Sequence, residues 1–205
     1  MIHQIIGITA GVISLLAYGL YIYKIWWGNT RPSKSSWWIL SFVWIIVLLS
    51  SVSLAPGNTI NEQWTSIASR WLSVSYIIGS LVIAVSTIWR GSGKKWNLFD
   101  YACLVSAGVA MICYFFFNNS AASLVFAIFA DLCGIMPTIK HAWQNPHEED
   151  LTAWIVESFA SLLGILAVTH WSLTFQDASD WASPVYLLII NIIIVCIIAR
   201  QFVKK

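Results

Sequence analysis

The sequence predicts an all-α membrane protein: seven transmembrane helices, a 3+1+3 parallel repeat of three-helix bundles joined by a linker helix. Three observations predict it. The 205 residues are 59% hydrophobic and 10% charged, where a soluble domain carries roughly 25% charged residues. So little polar surface cannot keep the chain dissolved, and the bilayer is its expected solvent. The apolar runs are unbroken, without alternation of apolar and polar residues, which selects helices over strands. Lysines and arginines gather in alternate loops, as an odd number of spans requires.

Seven stretches reach the ~20 residues that a span needs at ~1.5 Å rise per residue. The first, Ile5–Ile25, has no basic segment before it and is too long for a signal core, so it reads as an uncleaved helix. Its Tyr18 and Tyr21 share a face at i,i+3. GNTRPSKSS is a turn by composition, and the second span, Trp37–Ala55, holds Trp44 well inside it. Pro56 and Gly57 mark the next turn, before a third span over Thr65–Trp89. The basic connector GSGKK leads to the fourth, Leu98–Phe117, with Asp100 at its start and Asn118 and Asn119 after its end. Ala121–Ala142, Ala153–Leu173 and Trp181–Val203 complete the set. Residues 1–90 then form the first repeat, 91–120 the linker helix and 121–205 the second repeat, with no room for a soluble domain.

Lys24, Arg31 and Lys34 lie by the first loop, Arg90, Lys94 and Lys95 by the third, Lys140 by the fifth, and Arg200, Lys204 and Lys205 at the end. Only Arg70 lies toward the opposite side, where it reads as a surface anchor. This bias predicts a multi-pass protein of the plasma (inner) membrane, amino terminus outside and carboxyl terminus cytoplasmic. Tryptophans near the predicted helix ends, Trp37, Trp96, Trp154 and Trp181 among them, read as headgroup anchors. The net charge of +2 gives no reason to expect a nucleic-acid partner.

The repeat rests on two registers. Lys24, Trp27, Asn29, Trp38 and Ile39 match Lys140, Trp143, Asn145, Trp154 and Ile155, each 116 positions on. Trp71, Ser73, Tyr76 and Arg90 match Trp181, Ser183, Tyr186 and Arg200, each 110 positions on. An odd linker makes such repeats parallel, an architecture of secondary transporters that bind substrate near the midplane between halves.

The stretch PTIKHAWQNPHEEDLTAW, within Asp131–Trp154, resembles the motif of PQ-loop proteins, which include the SWEET sugar transporters. In that family a Pro-Gln pair inside helices one and five precedes a basic-aromatic exit and a short cytoplasmic turn. The resemblance covers the whole chain as topology and only this stretch as motif. Thr138 stands where the family has Gln, and Tyr21-Ile22 stands where the first pair would be, so a sugar substrate does not carry over. The resemblance implies a hinge at Pro137, and proton coupling through a helix-five aspartate, here Asp131.

Ionisable residues at membrane depth cost ~2.5–3.5 kcal/mol on insertion scales, which makes them functional candidates. Asp131 and Asn191 each lie ten positions into a span, roughly 15 Å deep. Asp131, Gly134 and Thr138 share a helix face at i,i+3,i+7. The expected solute site is Asp131, Asn191, Thr138, Tyr21 and Tyr18, with Asp131 and Glu157 handling protons, and Glu157 near the cytoplasmic mouth. The alternatives are a hydrogen-bonded carboxyl at Asp131, an interhelical glue residue at Asn191 and a snorkelling Glu157. Pro137 and Pro184 are hinge or static-kink residues. His170 reads as a hydrogen-bonded histidine in helix six, and Cys103, Cys113, Cys133 and Cys196 as packing residues. His141 and His147 flank a turn with Glu148, Glu149 and Asp150, read as solvated rather than metal-binding. No catalytic cluster, metal site or cofactor is expected.

The leading expectation is a non-enzymatic transporter of a small polar solute working by alternating access. The alternative is a seven-helix receptor or sensor that binds without transport; a retinal version fails because Trp181–Val203 lacks a lysine. Expected partners are a small-molecule solute, the lipid bilayer and protons, with a homo-oligomer as an option.

Overall fold

A computed structural model describes residues 1–28, 30–92, 98–116 and 120–203. Asn29, Lys94, Lys95, Trp96, Asn118, Asn119, Lys204 and Lys205, used above, lie outside the described residues, as do the side chains of Asp100 and Cys113. The described residues form α1 (Ile2–Trp27), α2 (Lys34–Leu54), α3 (Ile60–Ser66), α4 (Arg70–Arg90), α5 (Leu98–Phe116), α6 (Ser120–Gln144), α7 (Leu151–Ala167) and α8 (Phe175–Val203). A 3-10 turn over Pro146–Glu148 joins α6 to α7, and there is no strand among the described residues. The fold class is therefore all-α, and among the described residues five helices, α1, α2, α4, α6 and α8, are long and apolar enough to cross a membrane.

Three predicted boundaries move. The third span does not start at Thr65: a short amphipathic α3 precedes α4. Thr59 caps α3 by accepting from the Glu62 N–H at 3.3 Å, while the buried Arg70 guanidinium donates to the Ile67 carbonyl and holds the chain at the break. Arg70 is thus no surface anchor; it lies against the Trp64 and Trp71 rings, 5.3 and 5.4 Å from their centroids. The sixth stretch stops at Ala167, six residues early, so His170 is an exposed loop residue outside any helix. The last helix starts at Phe175, before Trp181. There Asp180 Oδ1 accepts from the Ser69 hydroxyl at 2.6 Å, which ties the start of α8 to the α3–α4 break.

Six helices close into a ring in the order α1, α4, α2, α6, α8, α7 and back to α1. Helix α5 lies outside it, against α6 and α2. Close approach needs small residues: a Cβ on Gly7 of α1 would overlap the Ala68 carbonyl. The outer faces carry exposed Leu16, Phe42, Leu49, Phe159 and Ile189, as a lipid surrounding favours and water does not. Trp37 and Trp154 are not headgroup anchors; both are buried inside the ring. The chain reads as a membrane-embedded helical bundle.

Candidate functional site

The ring encloses a cavity of about 520 Å³, mouth included, to which all six ring helices contribute. Tyr18 and Tyr21 come from α1, Trp37 and Trp44 from α2, Tyr76 from α4, Asp131 from α6, Trp154 and Glu157 from α7, and Asn191 from α8. Its rings pack edge to face or tilted, as aromatic quadrupoles prefer. Tyr18 meets Tyr76 at 5.5 Å and Trp37 at 6.2 Å between centroids, and Trp44 meets Tyr76 at 4.6 Å. Gly79 makes room for this cluster, since a Cβ there would overlap the Tyr18 ring.

Asp131 is buried, and its Oδ2 accepts from the Tyr186 hydroxyl at 2.7 Å. Its Oδ1 is buried without a hydrogen bond among the described residues. The Trp44 indole approaches the carboxyl without reaching ordinary hydrogen-bond geometry. A carboxyl with one idle oxygen in an apolar wall is unusual enough to call for a ligand or a proton.

A second polar group joins four helices. The Ser14 hydroxyl of α1 donates to the Glu157 carboxyl of α7, at 2.9 Å to Oε1 and 3.1 Å to Oε2. Asn191 Nδ2 of α8 donates to the Tyr76 hydroxyl of α4 at 3.1 Å and to Ser161 Oγ of α7 at 3.0 Å. The Tyr76 hydroxyl also lies beside Glu157. Glu157 is therefore part of the Asn191 network rather than a mouth or snorkelling residue.

Glu149 stands behind the lining, bonded to two of its residues. The turn between α6 and α7 is not wholly solvated: Glu149 is buried, and its Oε2 accepts from the Tyr21 hydroxyl at 2.6 Å and the Trp154 indole at 3.3 Å. Burial pushes this carboxyl up to about 7, helped by Glu148 and Asp150 and opposed by the Tyr21 and Trp154 donors. Beside it, Asp150 caps α7 by accepting from the Ala153 N–H at 2.7 Å, and His141 Nε2 lies 3.1 Å from Glu148 Oε2.

Of the expected solute residues, Asp131, Asn191, Tyr18 and Tyr21 meet at the cavity. Thr138 does not. It packs against α2, where its backbone N–H, next to Pro137, donates to Ser36 Oγ at 3.0 Å. A proline perturbs the local helix ladder, and Ser36 supplies an acceptor there from the neighbouring helix. Pro184 faces Gly164 of α7, where an added Cβ would sit 3.1 Å from it. Sequence reasoning missed Ser14, Trp37, Ser161, Glu149 and Trp154 as site residues. Trp44, alone inside its span, and Tyr76 and Tyr186, matched as repeat positions, had carried a signal. Cys133 and Cys196 are free thiols.

No protein-family model, no curated protein and no solved structure matches the chain.

Proposed function

We propose that the protein transports a small polar solute by alternating access between two three-helix halves, α1–α2–α4 and α6–α7–α8, with α5 as linker and seven spans in all. The observation that carries this reading is a largely apolar and aromatic cavity, holding Asp131, Glu157 and Asn191, to which all six ring helices contribute. The packing supports two related halves. Exchanging α1 with α6, α2 with α7 and α4 with α8 turns the α1–α7 contact into α6–α2, α1–α4 into α6–α8, and α2–α4 into α7–α8, all of which occur. Paired ring contacts follow the same exchange: Arg90 over Trp26 in one half, Arg200 over Trp143 in the other.

On this reading Asp131 couples protons to solute, since its carboxyl faces the cavity with one oxygen idle. Pro137 and Pro184 are the hinge positions, and the α6–α7 turn with Glu149 faces the cytoplasm, as the loop charges suggest. Uptake into proteoliposomes under an imposed pH gradient tests it. Asp131→Asn is expected to lose pH-driven accumulation; wild-type rate with unchanged pH dependence would end the coupling role. A receptor reading has one observation in its favour: the Ser14–Glu157 and Asn191–Tyr76 bonds cross between the halves and resist their separation. Binding without uptake would select it.

A further inference from the structure

We infer that the solute is an organic cation with an apolar or aromatic body. The inference deepens the transport reading, because it takes the same cavity as the solute site. Among the described lining residues there are two carboxyls and no Lys, Arg or His. Among the described residues neither Asp131 nor Glu157 has an ion-pair partner. An anionic solute would find no counter-charge there, and two acids at close range and low dielectric.

A neutral polyol fits poorly for a different reason. It needs many free donors and acceptors, and most of those here are already engaged. The Tyr186 hydroxyl is bound to Asp131, the Ser14 hydroxyl to Glu157, and the Asn191 amide to Tyr76 and Ser161. Idle and buried among the described lining residues are one neutral donor, the Trp37 indole N–H, and one acceptor on an acid, Asp131 Oδ1. An ammonium or iminium centre supplies the missing counter-charge. The remaining wall is aromatic, and ring faces attract cations within about 6 Å of their centroids. Trp44, Tyr76 and Tyr18 give that wall beside the Asp131 carboxyl.

Equilibrium dialysis on the detergent-purified full chain tests the inference, with four probes: choline, its neutral isostere 3,3-dimethylbutan-1-ol, benzyltrimethylammonium and glucose. Both cations are expected to bind, the benzyl compound more tightly, and the isostere at least roughly tenfold more weakly than choline, as loss of charge next to a carboxylate demands. Asp131→Asn is expected to weaken benzyltrimethylammonium at least roughly tenfold, and Trp44→Leu roughly 3–30-fold. Equal binding of choline and its isostere overturns the inference, and so does tighter binding of glucose. Cation binding weaker than about 1 mM overturns it as well. The wild-type comparison decides even if a variant fails to fold. Uptake of the same probes into proteoliposomes keeps the two readings apart. Choline bound but not taken up removes transport and leaves the cation class; glucose taken up in place of choline does the reverse.

Discussion

Replacing Glu149 by Gln isolates a buried acid that lies in the turn between α6 and α7, outside the spanning segments. Its carboxyl lies at about 7 against an ordinary glutamate value of 4.5, with burial as the main cause. The native state thus holds this proton more tightly than the unfolded chain does. Between 4.5 and about 7 the unfolded chain ionises first, so stability falls as pH rises through that window and the penalty is complete above it. A gap of about 2.5 at about 1.4 kcal/mol per pH unit gives about 3 kcal/mol. Gln has no charge to bury, and its carbonyl oxygen can accept from Tyr21 and Trp154 as Glu149 Oε2 does. Thermal unfolding followed by intrinsic tryptophan fluorescence reads the difference. At about pH 8 the variant is expected to melt roughly 6–12 °C above wild type, and at about pH 4 to melt with it. A difference that does not change with pH, or a variant less stable at about pH 8, refutes the assignment of a buried acid whose two donors do not offset its burial.

Two further substitutions probe the wall of the cavity. Gly79→Ala places a Cβ inside the Tyr18 ring, so α1 and α4 must separate; a loss of about 1–3 kcal/mol is expected. Adding Tyr18→Ala should recover much of that loss, and additive thermal shifts in the double-mutant cycle would contradict the close approach. Asn191→Ala removes both amide donors from a fully enclosed network, which should cost about 1–3 kcal/mol and lower the unfolding temperature in detergent. An unchanged melting temperature would place Asn191 outside that network.

The long helices were legible because unbroken apolar runs admit one backbone in lipid. The break at residues 67–69 was not, because it depends on a partner far along the chain, Asp180 for Ser69, and on Arg70 turning back onto the nearby Ile67 carbonyl. An arginine near a span end reads as an anchor until its acceptors are known. The same limit applied to tryptophan. Trp37 and Trp154 sit at helix ends like true headgroup anchors, yet they face each other at 6.3 Å across the cavity. Position along a helix fixed their depth but not their side. Asp131 and Asn191 were legible as buried polar residues, because cost alone marks them. Thr138 was misassigned by face: three residues at i,i+3,i+7 share a stripe, but α2 covers the lower part of it through Ser36. Glu149 was hidden by its acidic neighbours, since a run of charges reads as solvated and only the fold turns one of them inward.

The two proposed halves do not contribute alike. Tyr76 and Tyr186 occupy matched positions, but the residues 116 positions before Asp131 and Glu157 are Leu15 and Ser41. Both acids of the cavity therefore belong to the second half, and five of its six Tyr and Trp rings, all except Trp154, to the first. A solute that needs counter-charge from one side and an aromatic face from the other is held only while both halves are near it. Neither half alone satisfies it, so occupancy favours the closed arrangement, and the Ser14–Glu157 and Tyr76–Asn191 bonds already span the same divide. Binding energy spread across a moving interface acts on the conformational equilibrium through its difference between states. Were the two proposed halves to move as the transport reading requires, an asymmetric cavity between them would be a direct physical route from recognition to movement.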